Sequence, residues 1–245
     1  MPRSAKPREP VANLLLAALT SQEYQRLRPY LEEFTLPFGE ILYEPGQTIR
    51  DVYFPNTGIV SLLSMVEQRS TLEVGVVGNE GMVGISIFLG SPYSLNRALV
   101  QGAGTAMRMT AQAFRKHIGH NGPLPDLLRR YTHSLLAQIS QTAACNRFHK
   151  VDARLARWLL MTHDRLRSDT FKLTQEFLSD MLGVRREGVT AAARTLQQMK
   201  LIHYVRGQIT VLDREGLEAK SCKCYEIVKL EALFKKAKKG GFPAE

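Results

Sequence analysis

Between Thr174 and Ile202 the chain reads TQEFLSDMLGVRREGVTAAARTLQQMKLI, and no other segment restricts its own folding so strongly. Two short helical periods meet at Gly183. Phe177, Leu178, Met181 and Leu182 recur on one face of the first, and Val189, Ala192, Ala193, Leu196 and Met199 on one face of the second. Thr174 can cap the first helix, and Gly183 can adopt the left-handed conformation that ends it. The two apolar faces can pack on each other, and the small residues Ala192 and Ala193 permit the close approach that a helix-turn-helix requires.

What this packing leaves outward at the start of the second helix is Arg185, Arg186, Glu187, Thr190 and, farther along, Arg194. Recognition helices meet base edges with that end. An arginine fork donates twice to guanine, and a carboxylate accepts from cytosine N4, so Arg186 and Glu187 suit direct readout. Downstream, LIHYVRGQITVLD alternates apolar and polar residues around Arg206 and Gly207, as a hairpin or wing does. Thr174 and Arg206 complete the candidate DNA contacts. A solvated charged surface is the other reading of each of these side chains.

Charge supports the nucleic-acid reading through its distribution. The net charge is +10, yet residues 11–145 carry ten basic and ten acidic side chains, whereas residues 146–220 carry fourteen against nine. Such asymmetry points to a polyanionic partner. A generic basic face would look the same from composition.

Upstream the texture is different. Val11 to Leu31 reads as a helix, and from Leu36 to about Met109 short apolar stretches alternate with Gly, Pro and Asn, the pattern of an antiparallel sandwich or barrel. Pro125 suits the first turn of a helix that runs without Gly or Pro to about Val151. Leu128, Tyr131, Leu135, Ile139 and Thr142 form a seam along it, fit for pairing across a two-fold axis or for packing on the sandwich. A further helix, from Asp152 as N-cap to about Leu166, places Leu155, Trp158, Leu159 and Thr162 on one side. An α+β chain of several parts is expected: residues 12–123 as the strand-rich part, 124–151 as a dimerisation helix, 152–218 as a winged helix-turn-helix, and 219–245 as a basic tail.

Other classes find little support. No apolar run approaches the roughly 18–20 residues of a membrane span, and the opening MPRSAKPREP has no hydrophobic stretch suited to export, so a cytoplasmic location is expected. Cys145, Cys222 and Cys224 do not make a secreted disulfide framework. Cys222 and Cys224 have no further Cys or His at zinc spacing, and His117 and His120 have no third ligand; no metal site is expected. The phosphate-cradling GxxxxGK[ST], the GxSxG elbow and HExxH are all missing, so the chain is not read as an enzyme.

With these parts in order, the chain resembles the Crp/Fnr family of bacterial transcription regulators over about residues 12–218, most strongly in FLSDMLGVRREGVTAAARTLQQMKLI. Arg186 and Glu187 match the family's base-reading pair; Arg185 stands where many members carry Ser, and Ala191 where some carry Arg. The resemblance implies an N-terminal, jelly-roll-like β-roll with an effector pocket, a homodimer, promoter DNA and RNA polymerase as partners, and allosteric control through the β-roll. Cyclic-AMP-binding relatives hold the ribose with a Gly-Glu pair and the phosphate with an Arg-Ser pair. The corresponding residues here are Gly84-Ile85 and Asn96-Arg97, with Ala98 following. Ile85 offers no acceptor to a ribose hydroxyl and Arg97 is one position out of register, so the effector is left unknown and no cofactor is identified. The iron-sulfur ligands of the oxygen-sensing branch have no counterpart before Cys145. The alternatives are a ligand-binding adaptor or a thiol redox sensor with a degenerate DNA-binding domain.

Overall fold

Asn13 and Thr20 divide the first apolar stretch. In the computed structural model, which describes residues 11–67, 70–119 and 122–229, the Asn13 side chain accepts from the backbone N–H groups of Leu15 and Leu16. Thr20 and Glu23 form a reciprocal capping box. Each cap starts its own helix, so two short ones, α1 (Leu14–Ala17) and α2 (Ser21–Leu27), replace the single helix expected over Val11 to Leu31. His120 and the part of the expected tail beyond residue 229 lie outside the described residues.

Seven strands follow: β1 (Glu32–Leu36), β2 (Ile41–Tyr43), β3 (Asp51–Pro55), β4 (Ile59–Glu67), β5 (Ser70–Val77), β6 (Arg97–Gly102) and β7 (Gly104–Thr110). They form two antiparallel sheets, ordered β1-β7-β3 and β2-β6-β4-β5. In the registers Val52↔Met109 and Val60↔Val100, inward residues such as Leu36, Val52, Phe54, Val60, Val77, Val100 and Met109 share one core. The strand-rich expectation thus resolves as a β-roll, with Gly, Pro and Asn at its turns.

After α3 (Ala111–Ile118), the long helix α4 runs Pro123–Phe148 over 26 residues. It starts two residues before Pro125 and stops short of Val151, because the backbone turns extended at His149 and Lys150 before α5 (Val151–Leu166) begins. Leu128, Tyr131 and Leu135 are buried in the β-roll core of their own chain, Ile139 packs against it, and Thr142 is buried. The Tyr131 hydroxyl donates to the Met82 carbonyl at 3.0 Å. Its ring lies where a Cβ on Gly81 would stand, so the close approach depends on that glycine. The expected pairing seam is therefore spent within the chain; a helical stripe specifies that a face is buried, not against what. Left outward are Leu136, Ser140, Ala143 and Ala144.

α5 was read as amphipathic, yet it is buried nearly all round, Arg154, Arg157 and Arg165 included. Asp152 does not cap it. Lys150 occupies the N-cap position, and Asp152 sits in the first turn, paired with Lys220 at 2.8 Å. Beyond α5 come β8 (Thr170–Lys172), α6 (Gln175–Leu182), α7 (Arg186–Gln198), β9 (Ile202–Val205), β10 (Gln208–Val211), α8 (Arg214–Lys220) and α9 (Cys224–Val228), with a sheet ordered β8-β10-β9. The start of the expected basic tail is folded. Cys222, Cys224, Tyr225 and Val228 are buried, and Tyr225 shares Asp164 with Arg214 at 2.8 and 2.7 Å.

Candidate nucleic-acid interface

The second helix of the pair, α7, is positioned from both ends of α6. Thr174 caps it by accepting from the Phe177 N–H at 3.1 Å. Gly183 ends it at φ 60, where the Val184 N–H turns back to Ser179 O. A Cβ on Gly183 would also lie 2.7 Å from Leu72 of β5, so the turn needs glycine for conformation and for space. Leu178, Met181 and Leu182 then meet Val189, Ala192, Ala193 and Leu196 in one core. Phe177 packs against the edge of this core and also meets Phe38 of the β-roll, 5.8 Å between ring centroids, whereas Met199, at the end of α7, is half exposed.

Burying that face leaves Arg185, Arg186, Glu187 and Arg194 exposed, with Thr190 partly so. Gln175, which sequence reasoning passed over, accepts from Thr190 Oγ1 at 3.1 Å and from Arg186 Nε at 3.4 Å, and so orients the first turn of α7 from α6. Its position directly after the cap, opposite the next helix, was the available signal. The wing is a two-residue hairpin in which Arg206 and Gly207 both take positive φ, as a primed turn requires. Arg206 is exposed at its tip, and Gly207 O accepts from the Leu173 N–H at 2.7 Å, tying the wing to the entry of α6. Three of the fourteen basic side chains in residues 146–220 lie inside α5. The surface excess is thus smaller than the sequence count and is carried partly by α7 and the wing.

The five expected effector residues separate. Gly84, at φ 95, Ile85 and Asn96 line a pocket of about 130 Å³ between the β-roll and α4, together with Leu62, Leu136 and Ile139. Arg97 and Ala98 do not line it: Arg97 pairs with Glu44 at 2.9 Å, and Ala98 is fully buried within β6.

Buried polar ties join the β-roll to α5. Glu73 accepts from Ser61 Oγ at 2.7 Å and from Trp158 Nε1 at 2.9 Å. Burial pushes its carboxyl up to about 7, against the pull of these donors and of Arg157. Arg165 Nε donates to Glu80 Oε1 at 2.9 Å with both side chains almost fully buried. Cys145, His149, Cys222 and Cys224 also converge, which corrects the reading of Cys222 and Cys224 as thiols without partners.

These parts define a two-part protein: an antiparallel β-roll joined through a long helix to a winged helix-turn-helix. Residues 153–220 match the family model of the Crp-like helix-turn-helix domain, and that segment is such a domain. Among solved structures, the chain is similar to a putative transcriptional regulator of the Crp/Fnr family from Eubacterium rectale, with 16% identity, a TM-score of 0.66, and coverage of 84% of this chain and 97% of that one. It is similar to FixK2 from Bradyrhizobium japonicum at 18% identity and a TM-score of 0.66, covering 78% and 98% of the two chains. The c-di-GMP-responsive global regulator CLP of Xanthomonas campestris shares 16% identity and a TM-score of 0.64, with 78% and 99% covered. No curated protein sequence gives a significant match. The fold is that of the Crp/Fnr regulators. Among the described residues, no helix is long and apolar enough to cross a membrane.

Proposed function

We propose that this chain is a sequence-specific transcription regulator that binds promoter DNA as a homodimer, acts in the cytoplasm together with RNA polymerase, and is controlled through its β-roll. The observation that carries this reading is the first turn of α7: Arg185, Arg186 and Glu187 stand exposed at the N-terminal end of the second helix of a Crp-like helix-turn-helix domain. That placement suits bidentate contact with guanine and acceptance from cytosine in the major groove. Arg194, Thr190, Thr174 and the wing-tip Arg206 are assigned to flanking base or phosphate contacts. α4 would pair with its two-fold mate through the outward face around Leu136 and Ala143, setting the two reading helices to half-sites about 34–36 Å apart.

The pocket beside Gly84, Ile85 and Asn96 touches both the β-roll and α4, so a ligand there could bias how the helix packs. At about 130 Å³ it is well below the roughly 300 Å³ of common small-molecule sites. Arg97 is already paired with Glu44, and Ile85 supplies no side-chain acceptor. We assign the effector to a class other than cyclic AMP. Calorimetry should find only weak cyclic-AMP binding, or binding without consequence for DNA; micromolar binding with a large gain in operator affinity would overturn the assignment.

Selection of bound fragments from genomic DNA with the full chain tests the main reading. Two-fold symmetric sites should be enriched, with affinity falling steeply as salt rises. A chain that enriches no sequence over nonspecific DNA is a ligand-binding adaptor instead.

A further inference from the structure

All three cysteines of the chain meet in one place. Cys145 lies in the last turn of α4, and His149 follows that helix where the backbone turns extended. Cys224 is the first residue of α9, and Cys222 lies two residues before it. The four donor atoms all lie within 4.8 Å of one another, with Cys145 Sγ 3.4 Å from Cys222 Sγ, and Cys224 Sγ 3.4 Å from His149 Nδ1. In a tetrahedral zinc site with Zn–S near 2.3 Å and Zn–N near 2.1 Å, donor atoms are separated by about 3.5–3.8 Å. The cluster needs little contraction or expansion to reach that geometry. Its three cysteines are buried and only the histidine is exposed.

Charge gives a second, independent argument. Arg154 and Arg157 on α5 are buried to more than nine-tenths, and the Nε of each lacks a hydrogen-bond partner among the described residues. Both interact electrostatically with the cluster, Arg157 with Cys145, and Arg154 with Cys145 and Cys222. Buried cations require compensation. Three thiolates, one neutral imidazole and one divalent ion carry a net charge of −1, which balances one of the two arginines, Arg157 also facing Glu73; three neutral thiols balance neither. An open groove of about 460 Å³ bordered by His149, Asp152, Lys220 and Cys222 gives an ion access from solvent.

We propose that Cys145, His149, Cys222 and Cys224 form a structural zinc site that ties the end of α4 to the α8–α9 segment across the His149–Lys150 turn. Four protein ligands leave no open position, so the ion serves architecture and not catalysis. Thiolate ligands select zinc over magnesium or calcium. On binding, each thiol that is protonated gives its proton to solvent, so uptake is accompanied by acid release. Because α8 and α9 pack against α5 and α4, the ion would fix the angle at which α5 leaves the long helix.

The test uses the full chain, purified under reducing conditions without chelator, and Co2+ as the spectroscopic probe. The expected result is one zinc per chain as isolated. After removal of the zinc, one Co2+ should bind with the ligand-field bands of a tetrahedral thiolate site and be displaced by zinc. Cys145→Ser and Cys222→Ser should each lower Co2+ affinity by more than about 100-fold, since even outer-shell partners are worth 10–100-fold. Lys223→Ala, between two ligands, should leave it unchanged. A folded chain with three reduced thiols and no Co2+ uptake would overturn the proposal. So would a Cys145–Cys222 disulfide in the reduced preparation, an iron-sulfur chromophore, or metal retained at full affinity by both serine variants. Should the serine variants fail to fold, the Co2+ spectrum of the unaltered chain decides.

Discussion

Arg186 on α7 and Glu73 on β5 are both ionisable side chains, and their surroundings set them opposite tasks. Arg186 is exposed, and its side chain bonds to Gln175 through Nε at 3.4 Å, which leaves the two terminal nitrogens of the fork without a hydrogen bond among the described residues. Replacing it by Ala should cost about 1–3 kcal/mol at the selected site and relax preference at one base pair, whereas neutralising a phosphate contact weakens all sequences alike. Binding titrations on matched and single-mismatch sites separate these outcomes; unchanged affinity and consensus would remove α7 as the reading helix. Glu73 is fully buried, and its carboxyl is raised from 4.5 to about 7 by desolvation. Between those two values the folded chain retains a proton that the unfolded chain has released. The contribution of Glu73 to stability is therefore fully present below about 4.5 and declines as pH rises through 7. Glu73→Gln lacks that titration. The stability of the unaltered chain should fall relative to the variant by about 3 kcal/mol across the window, at 1.36 kcal/mol per pKa unit. Urea melts at several pH values measure the difference, and parallel curves would show that Glu73 titrates normally.

At the scale of elements, α4 shows what a pattern can and cannot specify. Leu135 is 6% exposed in the β-roll core, while its neighbour Leu136 is 58% exposed. Leu135→Ala should cost about 2–5 kcal/mol of stability. Leu136→Glu should leave the fold intact and weaken self-association together with operator binding. Sedimentation and thermal melts run on both variants distinguish the faces; a dimer insensitive to Leu136→Glu would place the two-fold axis elsewhere. The existence of the helix was legible from its long run without Gly or Pro, but its inward face was not, since Leu128, Tyr131 and Leu135 suit a second helix or a sheet equally well. The helix-turn-helix was legible almost to the residue because its information is local: Thr174 caps, Gly183 stops, and the apolar residues between them repeat within one turn. The four-donor cluster was not legible. Cys145 and Cys222 are 77 positions apart, and only the fold of α8 and α9, in a stretch read partly as basic tail, brings them together. α5 misled for a related reason. Its arginines look like a solvated face until Glu80 and Glu73 arrive from the β-roll.

On the scale of the whole molecule, the β-roll and the helix-turn-helix do not stand apart. Ile59, Leu63 and Val76 of the β-roll share a core with Leu155, Trp158 and Leu159 of α5 and with Leu178, Val189 and Leu196 beyond it. Gln138 of α4 accepts from the Val76 N–H at 2.6 Å, and Gln101 of β6 donates to Thr162 at 3.1 Å. A rearrangement that redirects α7 must therefore open or slide this interface, where the Arg165–Glu80 pair is the most costly element to disturb because both groups are out of water. Removing one partner leaves an unpaired buried charge, so Glu80→Ala should cost about 3–5 kcal/mol. Replacing both, as Glu80→Met with Arg165→Met, removes the two charges together and should recover most of that loss, since apolar substitutes for a buried pair are often neutral or better. Urea unfolding followed by Trp158, the chain's only tryptophan and itself buried in this interface, reports the pair directly. Both variants should unfold in one transition because one core spans the two parts. If Glu80→Ala cost less than about 1 kcal/mol, or the double replacement proved as damaging as the single one, the ion pair would not be what joins the β-roll to the helix-turn-helix, and the apolar contacts of β4 and β5 with α5 would hold the two parts together instead.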